Sequence, residues 1–186
     1  SFQQLVSIAS TTGASLGDTV NLWQQLTATL KTVGATNSDV NRLVMTLQKI
    51  GTIGGSSAQE MANALRQFMQ SVASGRIQAE EFNSVLEQMP ELARQIADGM
   101  GIPFNELRQL MLAGKLDIGE VLAAIERRSD EINQQFEKMP RTVTQATNAL
   151  VTQFGVAVSK IDDAIGASRY LAKLLDGAAL SISVAT

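Results

Sequence analysis

The 186-residue chain carries 15 Lys and Arg against 18 Asp and Glu, a net charge of −3, and contains neither Cys nor His. That composition excludes thiol nucleophiles, disulfides, thiolate or imidazole zinc sites and every histidine-based triad. It also argues against a nonspecific binder of nucleic acid, which needs a cationic footprint. Hydrophobic residues reach 45% with only 4% aromatic, so the core must be built from Leu, Ile, Val, Met and Ala. Charged residues make up 18%, which leaves much of the polar surface to Ser, Thr, Asn and Gln. The length suits one ordinary domain or a domain with an arm. No run of about 18 apolar residues is present to span a bilayer, and the start lacks the basic-then-apolar order of a signal peptide. The chain opens on Ser-Phe-Gln-Gln and ends on Ser-Val-Ala-Thr, and so reads as a stretch of a longer protein.

Nearly everything reads as helix. Leu16, Val20, Trp23, Leu26, Leu30 and Val33 recur at helical steps, which predicts a helix over 16–33 with Ser15 as N-cap and Gly34 as its stop. Val40, Leu43, Val44, Leu47 and Ile50 mark a second, opened by Asn37 or Ser38 and ended by Gly51. GTIGGSS (51–57) reads as the most flexible loop. Ser57-Ala-Gln-Glu60 has the capping-box pattern, in which the hydroxyl and the carboxylate each take a free amide of the first turn. Met61, Leu65, Phe68, Met69 and Val72 follow on one face, and Ser74-Gly75 closes that helix.

Ile77, Phe82, Val85 and Leu86 continue after the corner. Pro90 lacks an amide donor and clashes one turn back, so it fits the first position of a new helix, 90–98, ended by Gly99 and Gly101. Pro103 opens a short helix with Leu107, Leu110 and Met111 inward and Gly114 at its end. Asp117 caps a helix over 118–136 with Ile118, Val121, Leu122, Ile125, Ile132 and Phe136 along one stripe, and Met139-Pro140 divides the chain again. Beyond it Val143, Leu150, Phe154, Val158, Ile161 and Ile165 recur near heptad spacing, the pattern of a longer helix that packs along a partner. Residues 167–186 read as a short helix and an apolar tail, and SISVAT, as a lone strand, has nothing to pair with.

The expected fold is therefore all-α: a compact array of short packed helices over 1–140, then a longer C-terminal helix and tail over 141–186 that packs on that module or on a partner. One helix of the whole chain would span roughly 280 Å at 1.5 Å per residue. The Gly and Pro punctuation is incompatible with such a rod.

Three clusters invite chemistry. Glu80, Glu81, Glu87 and Glu91 crowd the 74–93 corner, and paired carboxylates serve glycoside hydrolysis when one is held protonated in an apolar setting. Glu80, Glu81 and Glu91 also fall in first helical turns, where acids complement the macrodipole, and this bland role is the expected one. Residues 96–116 have the helix, Gly-containing turn and second helix of a helix-turn-helix, with Asn105, Arg108 and Gln109 as candidate base readers. Residues 76–141 hold 8 Lys and Arg against 12 Asp and Glu, so two short core helices are the simpler reading. Arg127, Arg128 and Arg141 form a basic group that Glu126, Asp130 and Glu131 offset. GTIGGSS lacks the Lys-Ser/Thr of a phosphate loop, and Trp23 and Tyr170 are isolated aromatics with no stacking partner.

SGRIQAEEFNSVLEQMPELARQIADGMG (74–101), ELRQLMLAGKL (106–116) and EKMPRTVTQATNAL (137–150) resemble the N-terminal domain of tailed-phage tape measure proteins. LVSIASTTGASLGDTVNLWQQLTATLKTVG (5–34) and SDVNRLVMTLQKIGTIGGSSAQEMANALRQFMQ (38–70) are similar to it as well, so the likeness runs from about residue 5 to 175. It implies a structural protein of a virion or prophage tail, made in the host cytoplasm and threaded in the tail lumen. Members set tail length by their own length, tube subunits polymerise around them, and they leave during DNA delivery. The implied partners are the tail tube protein, tail assembly chaperones and the baseplate or tail tip; separately, the heptad-spaced pattern makes self-association through 142–165 an expectation. No catalytic, cofactor-binding or metal-binding residue carries over, and no cofactor or small-molecule ligand is expected. Some full-length members carry peptidoglycan-cleaving domains, and none reads here. A ruler measures by length per residue, so this heavily punctuated stretch is expected to be a folded module with the measuring helices elsewhere. The alternative is a DNA-binding regulator acting through 96–116.

Overall fold

Short amphipathic segments separated by Gly and Pro cannot bury their apolar faces alone and must pack on one another. A computed structural model describes residues 2–140 and shows how they do so. The described helices are α1 (Phe2–Thr12), α2 (Leu16–Leu30), α3 (Asn37–Ile53), α4 (Ala58–Ser74), α5 (Ala79–Gln88), α6 (Pro90–Met100), α7 (Phe104–Leu112), α8 (Ile118–Arg127) and α9 (Ser129–Glu137). One turn of 3-10 helix, Lys31–Val33, extends α2 to Gly34. The fold is all-α. Among the described residues there is no strand, only an isolated bridge between Arg76 and Asp117. Around it Ile77 donates its amide to Leu116 O and Ile118 donates to Gly75 O, tying the corner before α5 to the turn before α8.

α3 runs through the centre and packs against α1, α2, α6 and α9. Its residues Leu43, Val44, Leu47 and Ile50 are buried, and Phe68 and Phe82 from α4 and α5 are the bulkiest of the fully buried side chains. The core is aliphatic, as the composition requires. α1 was not foreseen, although Leu5, Ile8 and Ala9 carry helical spacing and are buried. On α2 the buried line is Thr19, Leu22 and Leu26; Val20 and Trp23 flank it, and Val33 lies exposed.

Helix starts follow side-chain chemistry. Ser15 caps α2 by accepting from the Asp18 amide. Thr36, one residue before the expected caps, opens α3: its hydroxyl accepts from the Asp39 amide, and its own amide donates to the Asp39 carboxylate at 2.8 Å. Ser57 and Glu60 make the same box on α4. Bonds from the Thr36 hydroxyl and then its amide hold Asp39 below the usual carboxyl range; for Glu60 the Ser57 amide leads and its hydroxyl follows. A depressed carboxyl pKa stabilises the fold above the ordinary value, so both boxes weaken as pH falls through the lowered pKa values.

Three expectations are corrected. α3 passes through Gly51 to Ile53, so the 51–57 loop shrinks to 54–57. α6 passes through Gly99 to Met100 before the left-handed Gly101 turns the chain. Both glycines serve close approach: a Cβ on Gly51 would stand 2.9 Å from Met61 Cγ, and one on Gly99 would stand 2.3 Å from Ala124 O. The stripe over 118–136 forms two helices, broken at Arg128. α8 packs on α6 while α9 turns onto α3, so Ile125 and Ile132 bury against different neighbours. The heptad-spaced segment, Arg141, Tyr170 and the 141–186 unit lie outside the described residues.

Candidate functional site

Two of the four acids at the corner, Glu81 and Glu91, have local structural roles. Glu81 takes the free amide of Gln78 at 2.8 Å and so completes the first turn of α5. Removing that acceptor in Glu81→Ala should cost about 0.5–1 kcal/mol, read as a lowered urea midpoint with an unchanged slope. Glu80 and Glu87 are exposed. Pro90 begins α6 as its first residue, and Glu91 in that turn is only 8% exposed. Its two oxygens are held separately, Oε2 by the Arg94 guanidinium at 2.8 Å and Oε1 by the Gln95 amide at 2.8 Å. Both oxygens are thus engaged by neighbours on the same helix, α6.

Gln95 continues the chain of contacts. Its Oε1 accepts from Arg128 Nε at 3.0 Å, and Arg128 also bonds the Glu131 carboxylate. This network fixes the break between α8 and α9. Arg127 donates from Nε to Gly99 O at 2.8 Å. Glu126, expected to offset these arginines, instead pairs with Arg42 across to α3 at 2.9 Å. The two arginines thus act as ties between helices.

Residues 96–116 form α6, the turn through Gly101 and Pro103, and α7. Asn105, Arg108 and Gln109 are all exposed on α7, beside an exposed Glu106. Leu107 and Met111 anchor the opposite side of the helix, while Leu110 is only half buried. In the shortened 54–57 loop, Ser56 donates its hydroxyl to Gln88 O at 2.8 Å. Trp23 is half buried on α2.

Two buried polar sites escaped the sequence reading. Gln48, 2% exposed, accepts from the Thr12 hydroxyl at 2.9 Å and donates to the Thr19 hydroxyl at 2.9 Å, linking α1, α3 and α2. It forms the floor of a cleft of about 200 Å³ with Leu22, Met61 and Leu65, under a rim that includes Asp18 and Arg66. The Asp18 carboxylate is bonded by the Ser15 hydroxyl, and Arg66 bonds Asn63. On the other side of α3, buried Lys49 donates to Asn133 Oδ1 at 2.9 Å and stands 5.1 Å from the Phe136 ring centre. Burial lowers its pKa, with the Glu137 charge opposing. The unfolded chain therefore keeps this proton to higher pH than the folded one. Stability gains as pH rises from the lowered pKa toward 10.5, and Lys49→Met should flatten that rise in urea melts. Polar residues at helical spacing carry no mark of which neighbour they will meet, which is why neither site was legible.

Among the described residues no group of three acids is placed to hold a metal ion, and no helix is long and apolar enough to cross a membrane. What the described residues present is an all-α packing of helices held by caps and interhelix ties, with Trp23 Nε1, Thr27 Oγ1, Asn41 Oδ1 and Ser71 Oγ buried without a hydrogen-bond partner among them. The tape measure protein family model matches residues 1–163, and the chain belongs to that family. Membership places it among phage tail proteins. No curated protein and no solved structure matches it.

Proposed function

We propose that this chain is a non-catalytic folded module of a tail tape measure protein, acting in the tail lumen after synthesis in the host cytoplasm. The family match over residues 1–163 carries the reading. The bonding of the carboxylates and arginines supports a role in contact rather than chemistry. The module helps set tail length by nucleating tube assembly, through contacts with tube protein, assembly chaperones and the baseplate or tail tip. Residues 1–140 are the compact unit in this reading, and 142–165 are the segment for self-association.

Electron microscopy of tails from a phage encoding this sequence tests both parts. Deleting residues 2–140 in frame should abolish tails or make their lengths irregular. Normal numbers of tails of unchanged length would overturn the assembly role. Uniform shortening by roughly 210 Å, the 1.5 Å per residue of a continuous helix, would overturn the folded-module reading.

A further inference from the structure

α9 is held to the module unlike its neighbours. Among the described α-helices it buries the fewest residues, Ile132 alone, while α8 before it buries Val121, Ala124 and Ile125. Its other ties to α3 and α6 run through polar side chains. Lys49 Nζ of α3 donates to Asn133 Oδ1 at 2.9 Å and lies 5.1 Å from the Phe136 ring centre, so one turn of α9 sits over the ammonium. Gln95 Nε2 reaches Gln135 Oε1 only at 3.4 Å. Lys49 is 7% exposed, and no carboxylate pairs with it among the described residues; Glu137 acts on it by charge from farther off. The other buried charged residue, Glu91, has Arg94 as its partner.

We propose that α9 is a strap that leaves α3 as one unit, pivoting at Arg128, and that the Lys49 ammonium it covers biases it toward release. A buried charge is costly unless paired, and one neutral amide and one ring face offset only part of that cost. Opening returns the ammonium to water and gives up one buried isoleucine, whereas loosening α3 or α4 would give up a whole apolar face. The pivot suits this motion. The backbone at Arg128 departs from ideal helical geometry at φ −92° and ψ −5°, no side chain caps the start of α9, and the Arg128 guanidinium is tied to Gln95 of α6. Segments that move are drawn from the least stable part of a fold. α9 is also the last described helix, so its release loosens the point at which the chain leaves the module.

Hydrogen exchange followed by NMR on the full 186-residue chain at rising urea tests this. Amides over 132–137 should exchange through one shared opening, at least ~10-fold more often than amides of α4, and with a shallower urea dependence. Lys49→Met should slow exchange across α9 by ~10-fold or more, since an apolar side chain carries no charge to dehydrate. Gly17→Ala, on α2 where the added Cβ meets nothing within 4 Å, should slow exchange in α4 and leave α9 as it was, because α2 stays folded while the strap opens. An α9 that exchanges with the same urea dependence as α4, that Gly17→Ala slows to the same degree, or that Lys49→Met leaves unchanged or accelerates would overturn the proposal.

Discussion

Gly99→Ala will destabilise the protein by about 2–3 kcal/mol, read as a lower urea midpoint. The added methyl would stand 2.3 Å from Ala124 O, 2.7 Å from its carbonyl carbon and 3.0 Å from its Cα. All three atoms are backbone, so no side chain can swing away and α6 must move off α8. That movement also stretches the bond from Arg127 Nε to Gly99 O. Alanine gains roughly 0.5–1 kcal/mol over glycine inside a helix, too little to offset the clash. Gly17 supplies the control: it lies in α2 with nothing within 4 Å of its would-be Cβ, so Gly17→Ala should stabilise by that smaller amount. Two glycine-to-alanine changes within helices, opposite in sign, separate packing from propensity.

Phe82→Ala should cost about 3–5 kcal/mol by emptying a core position that is 1% exposed. Phe82 sits on the first turns of α5, between the cap built by Glu81 and the reset at Pro90. Pro90→Ala, at an exposed first helical position, should change stability by under about 1 kcal/mol. Thermal unfolding followed by circular dichroism reads both changes. An unchanged melting temperature for Phe82→Ala would mean that the corner faces outward and serves a partner.

Capping chemistry was the most legible part of this fold. Ser15, the Ser57–Glu60 box, Asp117 and Pro90 each act within a few residues of themselves, so sequence alone locates them. Gly51 and Gly99 were misread because a glycine announces a missing Cβ without saying whether a turn or a neighbouring helix needs its absence. The break at Arg128 was hidden for a related reason. The stripe from Ile118 to Phe136 is continuous in period, and only the distant side chains of α6 and α3 decide that its halves part. The acids at 80, 81 and 91 were legible as first-turn residues. The burial of Glu91 was not, since it depends on Gly54 passing close by, where an added Cβ would lie 2.7 Å from Glu91 Cβ.

The link from Gln48 to Thr12 and Thr19 has a bearing on how three aliphatic helices choose one alignment. Leu, Val and Ala faces tolerate a slip of one helical turn with little loss of contact. An amide does not, because a slip leaves its donor and acceptor facing hydrocarbon. Gln48 therefore acts as a key in the lock of α1, α2 and α3. Replacing it with Leu would spare stability yet let the three helices sample more than one register, seen as broadened side-chain resonances in the protein's first third.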